Sequence, residues 1–164
     1  MKKTGLALIA FLCFAGVQAQ GVFKLGVVAG IASHEEAVSD FYGFVLGADA
    51  YYMFNKEDAL LNLGPTVGIR NFFGDEISPG IEADDATFLP IGAAARLTIL
   101  GILTGGADAG YALGLTDGLD GGFYFRPVVG LDILDILELN ASYETIFNSD
   151  VNFGNINIGL LLAL

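Results

Sequence analysis

The chain has 164 residues, of which 54% are hydrophobic and 16% charged, with a formal net charge of −12 and a mean hydropathy of +0.61. This apolar content excludes a disordered chain, and the length suits one domain. No stretch reaches the about 18 consecutive apolar residues that a membrane-spanning helix needs.

The amino terminus has the pattern of an export signal. Lys2 and Lys3 precede an apolar run over residues 5–17, and small residues follow up to Ala19. An apolar core of this length is typical of a cleaved secretory signal rather than of a transmembrane anchor. The sequence therefore predicts a signal peptide over residues 1–19.

The predicted mature chain, residues 20–164, is acidic and free of cysteine. Cys13 lies in the signal peptide, so we expect an exported protein without disulfides. Loss of two lysines leaves five basic residues against 19 acidic ones, a net charge of −14. This charge excludes a nucleic-acid partner, which needs a basic surface.

Eight segments of the mature chain alternate between apolar and polar or glycine residues. In LNLGPTVGIR, residues 61–70, the apolar side chains hold the odd positions, and Asn, Gly, Thr and Arg hold the even ones. Such alternation predicts strands, each near the length that crosses a membrane at a tilt. The eight segments are residues 23–31, 43–52, 61–70, 88–99, 106–115, 123–133, 137–147 and 155–164.

The composition of the two faces favours a membrane barrel. The polar face is rich in glycine, which suits the narrow interior of an eight-stranded barrel, and the apolar face suits lipid. We therefore predict an all-β fold, an eight-stranded antiparallel up-and-down transmembrane β-barrel with a polar, side-chain-filled lumen. A soluble barrel or sandwich, such as a lipocalin-like carrier, is the alternative. Because proline removes a ladder donor, bulges or local breaks are expected at Pro65, Pro90 and Pro127.

The connections alternate between long and short, as in outer-membrane barrels. The longer ones are residues 33–40, 72–86, 116–121 and 148–150; the shorter ones are residues 55–58, 100–103 and 134–135. With both termini periplasmic, the longer set faces outward. It carries eleven acids and no Lys or Arg: Glu35, Glu36, Asp40, Asp75, Glu76, Glu82, Asp84, Asp85, Asp117, Asp120 and Asp150.

The signal peptide, the eight strands and the last segment NINIGLLLAL resemble small outer-membrane β-barrel proteins. The likeness is to the group typified by the transmembrane domain of outer membrane protein A, and to the outer-membrane β-barrel domain proteins of Bacteroidota. The resemblance implies that residues 155–164 are recognised by the barrel assembly machinery, with Leu164 in place of the usual terminal aromatic. It also implies a bacterial outer-membrane location.

Charged residues on the polar faces are candidates for an interior network. Buried charges are costly unless paired, so a near-balanced set predicts a satisfied network that closes the lumen. An ion or solute path is the alternative. The set comprises Lys24, Asp49, Arg70, Arg96, Asp108, Arg126, Asp132, Glu138 and Glu144.

Two weaker signals lie in the longer connections. Asp75, Glu76, Asp84 and Asp85 offer oxygen ligands for loose contacts with divalent cations, but their spacing matches no defined metal site. His34 is the only histidine; a few eight-stranded barrels modify lipid A with such a residue. No cofactor, metal site or catalytic residue is otherwise expected.

The sequence thus predicts a non-enzymatic, monomeric outer-membrane barrel with a structural, adhesion or surface-interaction role. Its expected partners are outer-membrane lipid, lipopolysaccharide and an unidentified surface protein. A narrow channel or small-solute transporter is the alternative function, and a lipid A-modifying enzyme that uses His34 is the third.

Overall fold

A computed structural model describes residues 21–33, 36–54, 60–133, 136–148 and 151–164. Eight long strands carry the fold, and one helical turn and two short strands lie in the connections. In chain order the elements are β1 (Val22–Ala32), α1 (Glu36–Ser39), β2 (Tyr42–Met53), β3 (Leu61–Gly74), β4 (Glu76–Ser78), β5 (Ile81–Glu82), β6 (Ala86–Ile99), β7 (Leu103–Gly114), β8 (Gly122–Ile133), β9 (Leu137–Phe147) and β10 (Phe153–Ala163).

The eight long strands close into one antiparallel barrel, in the order β1-β10-β9-β8-β7-β6-β3-β2. Closure pairs β1 with β10, so no strand edge of the barrel is left unpaired. This confirms the predicted eight-stranded up-and-down barrel. Within the described residues, no helix is long and apolar enough to cross a membrane.

The strands are staggered around the barrel. When the register of each ladder is continued from strand to strand, a path that starts at Val22 on β1 returns to β1 at Ala32, ten residues further along. In this register the path passes through Met53, Gly64, Ala94, Asp108, Arg126, Glu144 and Asn155. The stagger tilts the strands and brings charged residues of β7 and β8 to one level of the interior.

Along most of each strand, side chains alternate between the interior and the outside. On β8, Tyr124, Arg126 and Val128 are buried, while Phe125 and Val129 are 42% and 62% exposed. The same alternation puts Leu, Ile, Val and Phe side chains on the outside all around the barrel. A water-soluble protein buries such residues, so this barrel has an apolar exterior and a polar interior, as predicted.

The barrel has two distinct ends. At the terminal end, β1 begins and β10 finishes, and the backbone N–H of Leu164 donates to the carbonyl of Phe23 at 2.8 Å. At the opposite end, here called the loop end, lie α1 and the β4–β5 hairpin. The longer connections therefore share one end, as their alternation indicates.

The second long connection differs from the prediction. Residues 72–86 were expected to form a loop, but β3 continues to Gly74 and β4 pairs with β5. The added residues continue the alternation of the strand: Phe72 is fully buried in the interior, and Phe73 is exposed on the outside. The second long connection therefore contains a β-hairpin rather than an irregular loop; we call the hairpin formed by β4 and β5 the raised hairpin.

Of the bulges or local breaks expected at the prolines, the structure shows breaks beside two of them and no bulge. The β3–β6 register runs unchanged past Pro65, the β6–β7 register past Pro90, and the β7–β8 register past Pro127. Pairing is interrupted beside Pro90 on the β3 side and beside Pro127 on the β9 side, where the missing N–H would have bonded. In the described barrel, the register shifts only between Tyr42 and Val45.

Two glycines of β7 differ in what surrounds them, and they give a test of the fold. A Cβ on Gly110 would lie 2.5 Å from the Cα of Gly92 on β6, whereas one on outward-facing Gly105 meets nothing within 4 Å. We expect Gly110→Ala to lower the free energy of unfolding by about 1–3 kcal/mol because backbone must shift. Gly105→Ala is the control and should leave it unchanged within about 0.5 kcal/mol. Urea unfolding in detergent measures both, and equal effects would contradict the close strand approach.

Candidate functional site

Six of the predicted interior residues meet at the centre of the barrel. We call this group the central ionic network; it consists of Asp49, Arg70, Arg96, Asp108, Arg126 and Glu144. All six side chains are at most 7% exposed. Three guanidinium groups face three carboxylates, so the network is formally neutral.

Arg126 on β8 connects four strands. Its Nη1 donates to Asp49 Oδ2 on β2 at 2.9 Å, and its Nε donates to Asp108 Oδ2 on β7 at 3.0 Å. Glu144 Oε2 on β9 lies 3.6 Å from Nη1. Nη2 also donates to the hydroxyl oxygen of Tyr51, and that hydroxyl donates to Asp108 at 3.1 Å. The side chain therefore crosses the lumen and joins its opposite walls.

Arg70 joins β3 to β2 and β9. Its Nη2 donates to both oxygens of Asp49, at 2.9 and 3.0 Å, and lies 3.2 Å from Glu144 Oε2. Two interior glycines make room for it. A Cβ on Gly47 would lie 2.8 Å from Arg70 Nη1, and one on Gly68 would collide with an Asp49 oxygen. The glycine-rich face thus provides the space that the long charged side chains fill.

Arg96 completes the network on the β6 side. Its Nη1 donates to Asp108 Oδ1 at 2.6 Å and to its own strand at the Ala95 carbonyl at 3.1 Å. Its guanidinium carbon lies 5.4 Å from the centre of the Tyr51 ring, within cation–π range. Asp108 therefore accepts from two arginines, which compensates its charge inside the barrel.

The other three predicted interior residues lie apart, towards the terminal end. Lys24 Nζ and Glu138 Oε2 are 3.3 Å apart, and Asn140 Nδ2 donates to Glu138 Oε1 at 3.0 Å. Asp132 accepts from the Thr104 hydroxyl at 2.6 Å. The cavity between these groups and the network measures about 20 Å³, room for about one water.

An apolar cluster fills the interior at the loop end, which the sequence interpretation missed. We call it the loop-end apolar cluster; its buried members are Val38, Val45, Phe72, Ala86, Phe88, Ala112, Tyr124, Ile146 and Phe153. The Phe88 and Phe153 rings are 4.9 Å apart, and Phe72 and Phe153 are 5.4 Å apart, both with edge-to-face geometry. Side chains thus fill the interior at a second level, between the network and the loop end.

A signal for this cluster is present in the sequence. Phe72, Phe88 and Tyr124 have the same parity as the polar residues of their own strands, which places them inside. One member of the cluster, Val38 of α1, lies outside the strands and is 1% exposed; the sequence did not predict its burial. Nothing in residues 33–40 shows a strand-like period, so tertiary packing alone places it.

The four acids proposed as cation contacts do not form a metal site. Asp85 accepts from Asn71 Nδ2 at 2.9 Å and from the backbone N–H of Gly74 at 3.0 Å, and Glu76 accepts from the Gly80 N–H at 2.8 Å. Across the described residues, no three acidic, histidine or cysteine side chains are grouped to hold a metal ion. Cation contact at Asp75, Glu76, Asp84 and Asp85 stays a prediction.

Some predicted residues lie outside the described ranges. They are His34, Glu35 and Asp150, together with the signal peptide. The role considered for His34 therefore stays a prediction as well.

Asp85 organises the raised hairpin at the loop end. The Asn71 amide that bonds it also accepts from the Thr87 hydroxyl at 2.6 Å, and the Thr116 hydroxyl donates to the Asp85 carbonyl at 3.0 Å. These bonds tie β3, β6 and the connection after β7 together. The hydrogen bonds from Asn71 first, and from Gly74, lower the pKa of the Asp85 carboxyl below its usual value of 3.8.

Removing one charge from the central ionic network should destabilise the barrel. Arg126→Met leaves three buried carboxylates facing two guanidinium groups, so one negative charge is uncompensated and we expect the free energy of unfolding to fall by about 3–5 kcal/mol. Asp117→Asn is the control; this exposed carboxyl at the loop end is not part of the network, and we expect a loss of at most about 0.5 kcal/mol. Denaturant unfolding of both purified variants in detergent tests this. Equal losses would show that the network is not central to stability.

Low pH should loosen the raised hairpin. Because folding lowers the Asp85 pKa, its contribution is complete at neutral pH and is lost as pH falls through the lowered value. We expect hydrogen-exchange protection of the Gly74 amide, corrected for intrinsic rates, to be constant at pH values well above 3.8 and to fall as the pH is lowered below 3.8. Asp85→Asn should remove that pH dependence. Unchanged protection of the wild-type amide at low pH would contradict it.

Comparisons with known proteins reveal the fold but no close relative. No protein-family model matches the sequence, and no curated protein is similar to it. Three solved structures cover nearly the whole barrel. Yersinia pestis outer membrane protein Ail in a nanodisc has a TM-score of 0.64 at 12% identity, over 88% of this chain and 100% of that one. The N-terminal β-barrel domain of Pseudomonas aeruginosa OprF has 0.59 at 10%, over 88% and 100%. Neisserial surface protein A has 0.55 at 15%, over 86% and 96%. The chain has the fold of small eight-stranded outer-membrane β-barrels.

Proposed function

We propose that the protein is an integral barrel of the bacterial outer membrane that acts through its loop end, in adhesion, surface interaction or envelope structure. The observation that carries this proposal is the closed interior. The central ionic network and the loop-end apolar cluster both fill the lumen. The surface at the loop end is therefore the part of the protein that we expect to contact partners.

The exterior supports insertion into a membrane. Outward side chains such as Val27, Ile91 and Ile158 are 47–65% exposed, and these residues would be costly in water. Phe44 and Phe73 pack at 5.8 Å, and Phe123 and Phe147 at 6.0 Å, near the loop end. Such aromatic pairs suit the interface between lipid and water. Membrane lipid and lipopolysaccharide are the partners this exterior favours.

We place the termini in the periplasm and the loop end outside the cell. The fold of outer-membrane barrels supports this, because their longer loops are external. Residues 155–164 form most of β10, whose Ile156, Ile158, Leu160 and Leu162 all point outward. This apolar stripe would be read by the barrel assembly machinery before β10 pairs with β1. A single closed barrel needs no second copy, so we expect a monomer.

The loop end is acidic and held in place. Asp75, Glu76, Asp84, Asp117 and Asp120 surround a hairpin that Asp85 fixes, and the longer connections contain no Lys or Arg. A surface with one sign of charge attracts partners of the other sign. We therefore expect a cationic surface protein or peptide as partner. A Yersinia pestis Ail structure (TM-score 0.52, 14% identity) is a complex with the heparin analogue sucrose octasulfate. The charge of the present loop end disfavours such a polyanion.

Binding of a lysine-rich peptide to the protein in nanodiscs tests the surface proposal. A variant with Asp75→Asn, Glu76→Gln, Asp84→Asn and Asp117→Asn removes charge but leaves Asp85 and its hydrogen bonds intact. We expect binding to weaken at least about tenfold, and wild-type binding to weaken with salt. Glu57→Gln with Asp58→Asn, in the connection between β2 and β3, is the control and should bind as wild type. Equal binding by both variants would contradict the role of the loop end.

A narrow channel or transporter is the second candidate, and bilayer conductance distinguishes it. We expect the wild type to conduct poorly, and Arg96→Met to lower stability without raising conductance, because the loop-end apolar cluster still fills the lumen. A large rise in conductance with Arg96→Met would show that the network gates a path. The third candidate, a lipid A-modifying enzyme that uses His34, has no support from the described residues.

A further inference from the structure

Four polar side chains lie together on the interior faces of β9 and β10 without enough partners. Ser142 is directly opposite Asn157, and Glu144 is directly opposite Asn155. All four are at least nine-tenths buried. Within the described part of the chain, no hydrogen-bond partner reaches Ser142 Oγ, Asn155 Oδ1, Asn157 Nδ2 or either carboxylate oxygen of Glu144. Arg70 Nε, at the edge of the central ionic network, is in the same condition.

The two asparagines have the same number of unbonded amide groups whichever side-chain atom is taken as oxygen and whichever as nitrogen. Asn155 Nδ2 donates to Asn157 Oδ1 at 2.7 Å. Exchanging oxygen and nitrogen in both amides reverses this bond, but it again leaves one carbonyl oxygen and one NH₂ group unbonded. The pair therefore always presents one acceptor and one donor to the lumen.

The neighbouring strands do not supply the missing partners. On β1 the residues opposite the two asparagines are Gly30 and Ala32, and on β8 the residue opposite the serine is Val128. Towards the loop end, Ile146 and Phe153 of the loop-end apolar cluster come next. Leaving several buried polar groups unpaired is costly, because each has lost its hydrogen bonds to water.

The charge at this position favours a neutral ligand. Glu144 Oε2 lies 3.2 Å from Arg70 Nη2 and 3.6 Å from Arg126 Nη1, so its charge is compensated by ion pairs. A cation would meet the two guanidinium groups, and an anion would meet the carboxylate. A ligand that both donates and accepts, and that is small enough for a side-chain-filled lumen, matches the set of free atoms.

We propose that the interior faces of β9 and β10 bind ordered water, bridging Ser142, Asn155, Asn157 and the carboxylate of Glu144. Buried water commonly makes about three hydrogen bonds to groups that otherwise lack them. The loop-end apolar cluster separates this position from the loop end, so the bound water exchanges slowly. The water belongs to the structure of the barrel and does not form a conducting file.

Magnetization transfer between water and side-chain amide protons, measured by NMR on the labelled protein in nanodiscs, tests this proposal. We expect transfer to the side-chain amides of both Asn155 and Asn157 in the wild type. Ser142→Ala removes one bridging group and should weaken the transfer to Asn157. Thr66→Val is the control, because it removes a buried interior hydroxyl on β3 and leaves the residues of β9 and β10 unchanged. It should leave both signals as in the wild type.

Two results would overturn the proposal. If the wild-type asparagine amides show transfer only from protein protons, the polar groups pair directly and no water is bound. If adding Na⁺ or Mg²⁺ shifts the Asn155 and Asn157 amide signals and raises the unfolding midpoint, the site holds a cation instead. The wild-type measurement decides the matter even if Ser142→Ala does not fold.

Discussion

The compensation of buried charge is the constraint on which the rest of this structure depends. Arg126 lies in a narrow space with little water, where a lone charge would cost several kcal/mol. It is retained because Asp49, Asp108 and Glu144 come from three other strands to meet it. These contacts require the ten-residue stagger of the barrel. The strand register therefore brings these charges together, and their pairing in turn stabilises that register.

The interior of the barrel has two levels along the barrel axis, the network in the middle and apolar side chains at the loop end. Glycines such as Gly47 and Gly68 leave room for guanidinium groups in the middle. Phe72, Phe88 and Phe153 fill the lumen at the loop end, where the cluster of buried side chains is apolar. Buried side chains occupy the lumen at both of these levels. The function we propose assigns contact with partners to the acidic loop end, because side chains fill the interior at both levels.

The sequence determines the strands well and the contacts between them poorly. Segments 61–70 and 123–133 alternate so regularly that strand position and interior face could both be predicted. Phe72 was missed because residues 72–86 were assigned to a connection, although it has the same parity as the interior residue Arg70. Which arginine meets which carboxylate could not be predicted, since that depends on the stagger of eight strands. Val38 could not be predicted either, because its segment has no periodic pattern.

The central claim is that the apolar face of this barrel lies in the outer membrane and that the strand ladder is closed. Cell fractionation, followed by gel electrophoresis in SDS with and without boiling, tests it most directly. A closed ladder satisfies its backbone hydrogen bonds internally and survives in detergent. We predict a band in the outer-membrane fraction whose migration changes on boiling. A protein found in the soluble periplasmic fraction, with the same migration before and after boiling, would contradict the account.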